Sequence, residues 1–474
     1  MLFFYVLMTG LKAAGVRSAL MAAIVLVGLM ANRGPVLFNN LCAAGFLILL
    51  ADTNQLFNPG FQLSFCVVAA IMLFAGPLAL LLAAPFRPDP FFPERLLSAP
   101  QRFVVSGTQR LASLLAVSTT AWLGSLPLTM GYFHLVSITA VPANALAVPL
   151  SFAIMAVSLL SVGTGLFSAW VASIYNQTNW LLAKALLGVV HAFASLPGSF
   201  FYVRVPDHPS PIAEIVVFDF GAGGAAWICA QGRDWLIDSG PAHSHDSVLL
   251  PFLRSRGLRS LDGFLLTHGD AGHIGSATEL IRACRPGHVV DSTLDDRSAN
   301  RSRLHAELSR LGIPKSPHRS GDRIVLGSET RLHILYPPGD VLRGVADDKN
   351  LVVQLRTGST RILFMSDAGL YTEEWLMKNV LPELPSDILI KGSPRHGPSG
   401  DTAFLNAVKP RVVIATATEF PESERIPASF VENLRTRGIR LFAQDHSGAV
   451  SVRIFSSHWE VSAFLDKHQY CHSR

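Results

Sequence analysis

Long apolar runs fill the first 204 residues of the chain, and short polar segments separate them. The runs cover residues 18–31, 36–51, 61–84, 111–133, 138–167 and 180–202, and about 20 apolar residues let an α-helix cross a bilayer. The N-terminal stretch lacks the basic start and cleavage site of a signal peptide, so we expect it to end a further membrane helix. The pattern predicts six or seven spans. The fifth run contains Pro142 and Pro149, which fits a broken helix, two segments or a re-entrant piece.

One loop in this half, residues 86–110, is rich in basic residues. Its charged residues are Arg87, Arg95, Arg102 and Arg110 against Asp89 and Glu94. Short basic loops stay in the cytoplasm, and three crossings follow before Arg204. We therefore expect the second half of the chain to lie outside the cytoplasm. Two crossings by the fifth run would reverse this orientation.

Polar side chains within the apolar runs cost free energy unless they face protein or water. The candidates are Asn58, Gln62, Thr119, Thr120, Thr129, Asn144 and Lys184. Of these, Asn58, Gln62 and Asn144 are the candidate channel-lining residues. The alternative interpretation is that hydroxyl and amide groups hold neighbouring helices together.

From residue 205 onwards the pattern changes to short strands that alternate with helices. A proline-marked linker, residues 205–212, comes first. Strands are predicted at 214–219, 235–237, 264–266, 331–335, 351–356, 361–365, 388–390 and 412–415, and helices at 276–283 and 302–311. Alternating strands and helices predict an α/β layered domain over residues 213–474.

The charged residues follow the same division of the chain. Residues 1–204 hold only nine basic and three acidic residues, so the formal net charge of +5 comes from the apolar half. The sequence pI near 9.0 is therefore no evidence for a basic nucleic-acid-binding surface. Five scattered cysteines without a CxxC pair favour neither a disulfide framework nor a cysteine zinc site.

Residues with metal-binding chemistry come directly after predicted strands. His268, Asp270 and His273 follow one strand, in LLTHGDAGHIG, Asp367 follows another, and His396 lies in the loop after a third. We expect these side chains to meet at one edge of a sheet, where the ends of parallel strands gather. Imidazole and carboxylate ligands suit zinc or manganese. Ordinary surface histidines are the alternative.

The order of these motifs resembles the metallo-β-lactamase domain of ComEC-type DNA internalisation competence proteins. The segments that carry the resemblance are FDFGAGGAAWI, WLIDSG, LLPFLRSRGLRSLDGFLLTHGDAGHIG, KNLVVQL, RILFMSD and PRHG. In the apolar half, ADTNQLFNPGFQLSF and WLGSLPLTMGYFHLVSITAVPANALAVPL resemble that family's channel-forming region. The resemblance implies a polytopic α-helical membrane domain, residues 1–204, followed by an α/β metallo-β-lactamase-like domain, an αββα sandwich.

The resemblance also implies a metal centre that holds one or two ions of zinc or manganese. The implied metal positions are His268, Asp270, His273, Asp367 and His396. The implied supporting positions are Asp238, Gly221 and Gly223. Asp270, His396 and Arg395 are the implied catalytic residues.

Three positions depart from the pattern of the family. Gly272 replaces the second aspartate of a His-x-Asp-x-Asp-His loop, Gly224 replaces an aspartate after Gly223, and Arg395 replaces the first of two histidines. Without a carboxylate at position 272 we expect the second metal to bind weakly, while one ion can still activate a water. Arg395 suits the clamping of phosphate, or is an ordinary solvated loop residue.

Three functions remain open at this stage. The first is a DNA uptake channel of the inner membrane whose outer domain is a metal-dependent nuclease acting on the non-transported strand. The second is the same channel with a catalytically degenerate domain that binds DNA or partner proteins. The third is a membrane-tethered metallohydrolase of another substrate, since the lactamase-like fold hosts many reactions.

The resemblance implies several partners for the first function. These are single- and double-stranded DNA, membrane lipid and other DNA-uptake proteins. The chain has no GxxxxGK phosphate-binding loop, so a separate motor protein is expected. Formation of a homo-oligomer is left open.

Overall fold

The computed structural model describes residues 13–30, 37–86, 98–203, 210–294, 298–339, 349–392, 399–417, 425–465 and 469–473. The chain divides into two compact units, Met1–Arg204 and Val205–Arg474. Of the linker predicted at 205–212, only the last three residues are described.

Within its described residues, the first unit contains six α-helices. They are α1 (Ala13–Met30), α2 (Leu37–Ala51), α3 (Pro59–Ala83), α4 (Ala99–Phe133), α5 (Ala140–Gly165) and α6 (Ala169–Ala194). Three segments are long and apolar enough to cross a membrane, at Pro59–Phe86, Pro100–Phe133 and Ala140–Gly165, and α1 and α2 supply shorter apolar helices. The helical, apolar character of this half is confirmed, and the number of spans stays a prediction.

The fifth apolar run folds as one continuous helix, α5, despite Pro149 in its interior. A short antiparallel pair, β1 (Leu135–Ser137) and β2 (Phe200–Tyr202), joins the chain after α4 to the chain after α6. The carboxyl ends of α4 and α6 therefore lie beside each other. Three helices in succession carry the chain from one end of this helical group to the other.

The second unit is a sandwich of two mixed β-sheets. Its strands are β3 (Ala213–Val217), β4 (Ala226–Ala230), β5 (Arg233–Ile237), β6 (Gly263–Leu265), β7 (Val289–Ser292), β8 (Lys315–His318), β9 (Arg323–Val325), β10 (Thr330–Tyr336), β11 (Val352–Thr357), β12 (Thr360–Ser366), β13 (Ile388–Lys391), β14 (Val412–Ala415), β15 (Arg440–Ala443), β16 (Val450–Ile454), β17 (His458–Ala463) and β18 (Gln469–Ser473). One sheet has the order β18-β17-β16-β3-β4-β5-β6-β7-β8, and the other the order β15-β14-β13-β12-β11-β10-β9.

Helices cover the outer face of each sheet. They are α7 (Leu250–Ser255), α8 (Ala271–Ile274), α9 (Ala277–Ala283), α10 (Ala299–Leu311), α11 (Leu370–Asn379), α12 (Thr402–Val408), α13 (Ala428–Thr436) and α14 (Gln444–Ser447). One apolar core fills the space between the sheets, a second packs the nine-stranded sheet against helices α7 to α10, and a third packs the other sheet against α11 to α13. The predicted αββα sandwich is confirmed.

The predicted strands of this unit are present with ends shifted by no more than two residues. Central strands such as β14, with the sequence VVIA, are buried on both faces and read as continuous apolar runs. Strands β7, β8, β9 and β15 and the C-terminal strands β16, β17 and β18 were missing from the prediction. β18 has the sequence QYCHS and alternates between exposed and half-buried residues, so its pairing with β17 decides its conformation.

Helices α3 and α4 approach each other closely at Gly124. A Cβ atom at this position would lie 2.5 Å from the Cβ of Ala70 and 3.3 Å from the carbonyl oxygen of Cys66. Close helix contacts of this kind depend on small residues. The absence of a side chain at residue 124 therefore allows the two helices to pack at this distance.

We expect Gly124→Ala to destabilise the helical unit by about 1–3 kcal/mol, because the added methyl group overpacks the contact. Gly131→Ala is the matched control, since nothing lies within 4 Å of its Cβ position and alanine favours a helix. The thermal unfolding midpoint of the detergent-solubilised chain measures both effects. Equal midpoints for the two variants would contradict the close contact.

Candidate metal centre

The predicted site residues gather where strands of the two sheets end. Asp238 directly follows β5, and Asp367 directly follows β12. His268 lies three residues after the end of β6, and His273 lies in the short helix α8. Strands β5 and β6 are parallel neighbours, as are β12 and β13. The edge of the sandwich therefore collects histidines and carboxylates from both sheets, as expected for parallel strands.

Asp238 is the centre of a buried hydrogen-bond network. Its Oδ1 accepts a hydrogen bond from the backbone N–H of Thr267 at 2.8 Å, and its Oδ2 accepts one from the Thr267 hydroxyl at 2.5 Å. Nδ1 of His273 donates to the same Oδ2 at 2.9 Å. The backbone of Asp238 has φ +54°, a left-handed conformation that costs free energy for most residues. These bonds fix Asp238 despite that conformation.

The network also determines which nitrogen of His268 is free to bind a metal. The Thr267 hydroxyl hydrogen is used by Asp238, so Nδ1–H of His268 donates to the Thr267 oxygen at 3.0 Å. Nε2 of His268 is then left with its lone pair, and it is buried without a hydrogen-bond partner. Ser366, which has φ +48°, lies 3.0 Å from the same Thr267 oxygen.

The two histidines direct their Nε2 atoms towards one carboxylate. Oδ2 of Asp367 lies 3.0 Å from Nε2 of His273 and 3.8 Å from Nε2 of His268. The two imidazole rings are 4.2 Å apart, centre to centre. This arrangement gives two nitrogen ligands and one oxygen ligand that converge on a common position.

The pKa values of His268 and His273 are shifted in opposite directions. Burial, together with the nearby charge of His273, lowers the pKa of His268 to about 3. Burial alone would lower the pKa of His273, but the charge of Asp367 and the hydrogen bonds to Asp238 and Asp367 raise it to about 10. His268 is therefore neutral at pH 7, and His273 shares a proton with two carboxylates. A metal ion that binds here would replace the proton between His273 and Asp367.

The residues present fit a zinc or manganese ion. The buried, unpartnered Nε2 of His268 is the observation that supports this fit, since neutral imidazole nitrogen is a preferred ligand. Ligand atoms of Asp238, His268 and His273 lie within 4.8 Å of one another. We assign Asp238 the orienting role, because both of its oxygens already accept hydrogen bonds, and Asp367 the role of ligand. A carboxylate behind a metal-bound histidine is a common arrangement.

The loop that carries Gly272 in place of the second aspartate packs closely on the glycine turn between β3 and β4. A Cβ at Gly223, which has φ +87°, would lie 2.0 Å from the carbonyl oxygen of Gly272. A Cβ at Gly272 would lie 3.1 Å from Cα of Gly223. Backbone of one loop therefore occupies the space beside the other. Position 223 requires glycine, whereas a side chain at position 272 would require Gly223 to shift by a few tenths of an ångström.

The neighbouring glycines shape the same turn. The backbone N–H of Gly221 donates to Oδ1 of Asp219 at 2.9 Å. The backbone N–H of Gly224 donates to the Gly272 oxygen at 3.3 Å, and a Cβ at Gly224 would lie 3.5 Å from the ring of His273. Gly221 and Gly223 therefore support the site by shaping the backbone.

Asp270 is half-buried and precedes helix α8. Its carbonyl oxygen accepts hydrogen bonds from the backbone N–H groups of His273 and Ile274, at 3.0 and 2.9 Å. This turn brings His273 back towards His268. Asp270 is not among the residues that form the described ligand group. Arg395 and His396 lie outside the described residues.

Several residues near the site had no role in the sequence interpretation. A Cβ at Gly392 would lie 1.9 Å from Oδ1 of Asp367, so this glycine leaves space for the carboxylate. Arg301, in α10, is buried, and its charge contributes to the low pKa of His268. No local motif marks either residue, because both act on groups that are distant in sequence.

Near Asp367 lies a pair of oppositely charged residues, the buried Glu373 and the half-buried Lys391. Burial raises the pKa of Glu373 to about 7 and lowers the pKa of Lys391, while each charge partly opposes the shift of the other. Glu373 accepts a hydrogen bond from the backbone N–H of Gly400 at 2.7 Å. Lys391 precedes the segment that carries Arg395 and His396, and Gly400 follows it. Glu373 therefore interacts with the chain on both sides of that segment.

The candidate channel residues have structural contacts. Asn58 caps α3, because its Oδ1 accepts the backbone N–H of Gly60 at 2.8 Å. Gln62 accepts a hydrogen bond from the Tyr132 hydroxyl at 2.9 Å and so links α3 to α4. Asn144 is half-buried in α5. The contact of Gln62 favours the interpretation that polar groups hold helices together, and Asn58 stabilises the start of its own helix. The role of all three residues in a channel stays a prediction.

Two other histidines of the sandwich, His305 and His288, bond elsewhere. Nε2 of His305 lies 2.7 Å from Oδ2 of Asp291, and Nε2 of His288 lies 2.6 Å from the Ser316 hydroxyl. Neither belongs to the ligand group of the candidate centre in the described part of the chain.

We expect Asp238→Asn to weaken zinc binding by about 10- to 100-fold, the usual effect of losing a residue that orients a ligand. The amide replaces one carboxylate oxygen of residue 238 with an NH₂ group, so Thr267 or His273 loses a hydrogen-bond acceptor. Asp246→Asn, at a solvent-exposed carboxylate, is the matched control. Competition against a chromophoric chelator measures the affinity of the full chain in detergent. Complete loss of binding would instead make Asp238 a ligand, and unchanged affinity would remove it from the site.

Two protein-family models match the chain, and they meet near the boundary between its two compact units. The model of the competence protein family matches residues 1–228, and the model of the metallo-beta-lactamase superfamily matches residues 219–409. Solved structures give only a distant likeness. CmlA, a diiron beta-hydroxylase from Streptomyces venezuelae, has a TM-score of 0.37 and 15% identity, covering 58% of this chain and 59% of that chain. Similarity at this level carries no information about the reaction.

Two curated relatives are competence proteins. ComE operon protein 3 of Bacillus subtilis (strain 168) is 25% identical over 522 residues, covering 95% of this chain and 62% of that protein. Competence protein ComA of Neisseria gonorrhoeae is 23% identical over 298 residues, covering 60% of this chain and 40% of that protein. The chain thus spans less than two thirds of the length of these relatives. Apolar helices that match the competence protein family, followed by a sandwich that matches the metallo-beta-lactamase superfamily, give the chain the two-part organisation of the ComEC-type competence proteins, which it resembles.

Proposed function

We propose that this protein is an inner-membrane component of DNA uptake for transformation. In this proposal the helical unit passes single-stranded DNA, and the sandwich domain cleaves the non-transported strand. The match of the apolar half to the competence family supports the role in uptake. The convergence of His268, His273 and Asp367 supports a hydrolytic role for the second unit, and this is the observation that carries the proposal.

One metal ion, held by His268, His273 and Asp367, is the form of the site that the described residues support best. When bound, the ion would polarise a phosphodiester and lower the pKa of a water molecule. Asp238 orients His273 for this task, and Thr267 fixes the tautomer of His268 through its hydroxyl. These hydrogen bonds hold both imidazoles before the metal binds, which reduces the cost of ordering them.

Acid–base and phosphate-binding roles fall to residues around the metal ligands. We assign Asp270 to accept a proton from the attacking water, His396 to donate one to the leaving oxygen and Arg395 to bind the phosphate. Asp270 is half-buried beside both ligand histidines in sequence. The roles of Arg395 and His396 rest on the family resemblance.

A second candidate function has one observation in its favour. Glycine at position 272 lacks the carboxylate that the family resemblance places there to hold a second ion. A domain that needs two ions for catalysis would then be inactive. It would serve the uptake machinery by binding DNA or a partner protein.

We expect the full chain to cleave linear DNA in the presence of zinc or manganese, and Asp270→Ala to reduce the rate at least about 100-fold, the usual contribution of a general base. Asp246→Ala, at an exposed loop carboxylate, is the matched control and should keep wild-type activity. Bound metal per chain is measured in parallel. Absence of both metal and cleavage in a folded protein would support the degenerate domain instead.

A substitution at position 272 separates the two candidates further. Gly272→Asp requires Gly223 to move by only a few tenths of an ångström. With an active one-metal site, this variant should bind additional metal and cleave DNA faster. If the variant binds additional metal and gains activity while the wild-type chain has none, the native domain has lost catalysis through this position.

We further propose that the sandwich domain lies outside the cytoplasm. Arg102 and Arg110 lie in the first part of α4, the end that follows the basic loop. The pairing of β1 with β2 supports an odd number of crossings between that loop and residue 203. A basic loop kept in the cytoplasm then requires the chain to leave the membrane on the other side.

A reporter enzyme that is active only outside the cytoplasm, fused after Arg474, tests this orientation. We expect reporter activity in whole cells. The same reporter fused within residues 87–97 serves as the control and should be inactive. The opposite pattern would place the sandwich domain inside the cytoplasm.

A further inference from the structure

A second cluster of metal-ligating side chains lies at the C-terminal edge of the nine-stranded sheet. It consists of His458 and Glu460 on β17 and Cys471 on β18. Strand β17 is four positions from β5 in the sheet order, which corresponds to about 19 Å at the usual strand spacing. The cluster is therefore separate from the candidate metal centre around Asp238.

Strand register brings the three side chains together. His458 and Glu460 are two residues apart on one strand, so they project from the same face of the sheet. Cys471 pairs directly with Glu460 across the β17–β18 ladder. Side chains of directly opposed residues lie about 5 Å apart at Cβ. Their ligand atoms, one nitrogen, one oxygen and one sulfur, all lie within 4.8 Å of one another.

The imidazole of His458 is held in a fixed orientation. Its ring stacks on Phe455, with centres 4.6 Å apart and an angle of 14° between the planes. The Ser457 hydroxyl lies 3.1 Å from Nδ1, and Oε1 of Glu460 lies 3.1 Å from Nε2. A partner on Nδ1 is the usual device that presents Nε2 of a histidine to a metal.

The neighbouring charges are compatible with a cation at this position. Arg453 on β16 pairs with Glu460 across the sheet, which would oppose a metal if its charge were uncompensated. Nε of Arg453 lies 3.5 Å from Oε1 of the buried Glu214. Glu214 also accepts hydrogen bonds from both Nη atoms of Arg256, so it offsets the charge of Arg453 in part. His458 and Glu460 keep partly exposed side chains, at 29% and 45%, so an ion can enter from solvent.

We propose that His458, Glu460 and Cys471 form a binding site for a zinc-type divalent cation, distinct from the candidate metal centre. Imidazole, carboxylate and thiolate are the ligand types that zinc prefers, and water completes a tetrahedral shell. On binding, the Cys471 thiol releases its proton to solvent and the sulfur bonds the metal as thiolate. The ion would connect β18 to β17 and so stabilise an edge strand that pairs on one side only.

Cobalt substitution tests this site in the full chain, because a cobalt–thiolate bond gives a charge-transfer band in the near ultraviolet. The described ligands of the candidate metal centre include no cysteine, so that centre does not contribute to the band. We expect the wild-type chain to show the band, and Cys471→Ser and His458→Ala to lose it. Cys42→Ser, at another exposed cysteine, is the matched control and should retain it.

Zinc content and hydrogen exchange give independent measurements. The Cys471→Ser chain should hold one zinc ion fewer than wild type, and zinc should slow amide exchange in Gln469–Ser473 of the wild-type chain only. A wild-type chain without the cobalt band, or a band that persists in Cys471→Ser, would overturn the proposal. Loss of the band in Cys42→Ser as well would also overturn it.

Discussion

The buried carboxylate of Asp238 is the interaction on which the candidate metal centre depends. It joins the end of β5 to the segment that follows β6, because it accepts hydrogen bonds from Thr267 and His273 in that segment. Burying a carboxylate is costly unless hydrogen bonds satisfy it, and here three bonds do so. The same bonds fix the geometry in which Nε2 of His268 and Nε2 of His273 face Asp367. A metal site gains from ligands that are ordered before the metal arrives.

The same region shows why the number of metal ions matters for function. Gly223 and Gly272 bring two loop backbones into contact, and glycine at position 272 supplies no second carboxylate. This contact is compatible with the single set of ligands formed by His268, His273 and Asp367. A one-metal hydrolase and a degenerate binding domain share this geometry, and they differ only in whether the retained ligands hold an ion and activate water.

The two units place different demands on their polar groups. In the helical unit, polar side chains such as Gln62 and Tyr132 bond to each other between helices, since lipid offers them no partner. In the sandwich, the buried polar groups of the candidate metal centre bond to each other where strands end. The β1–β2 pair fixes which ends of α4 and α6 lie together. It therefore supports the proposed orientation of the chain in the membrane.

Local patterns were sufficient to predict much of this protein. Apolar runs and alternating strands and helices are short-range properties, so the helical half, the layered domain and the central strands could be predicted from the sequence. His268, His273 and Asp367 were found because each follows a strand. The edge strand β18 was missed because polar, half-exposed strands carry little periodic signal of their own. Strands β16 and β17 alternate between buried and half-buried residues, so their pattern could have predicted them.

The sequence by itself therefore determined the two-part architecture and the residue types of the metal centre. Only the tertiary structure decided the role of Asp238, whose partners lie 29 and 35 residues away, and the contact of Gly223 with Gly272. It also brought Cys471 opposite Glu460 through strand register. The physical reason is that periodicity reports local burial, whereas hydrogen bonds and close contacts between distant loops depend on the order and register of the strands.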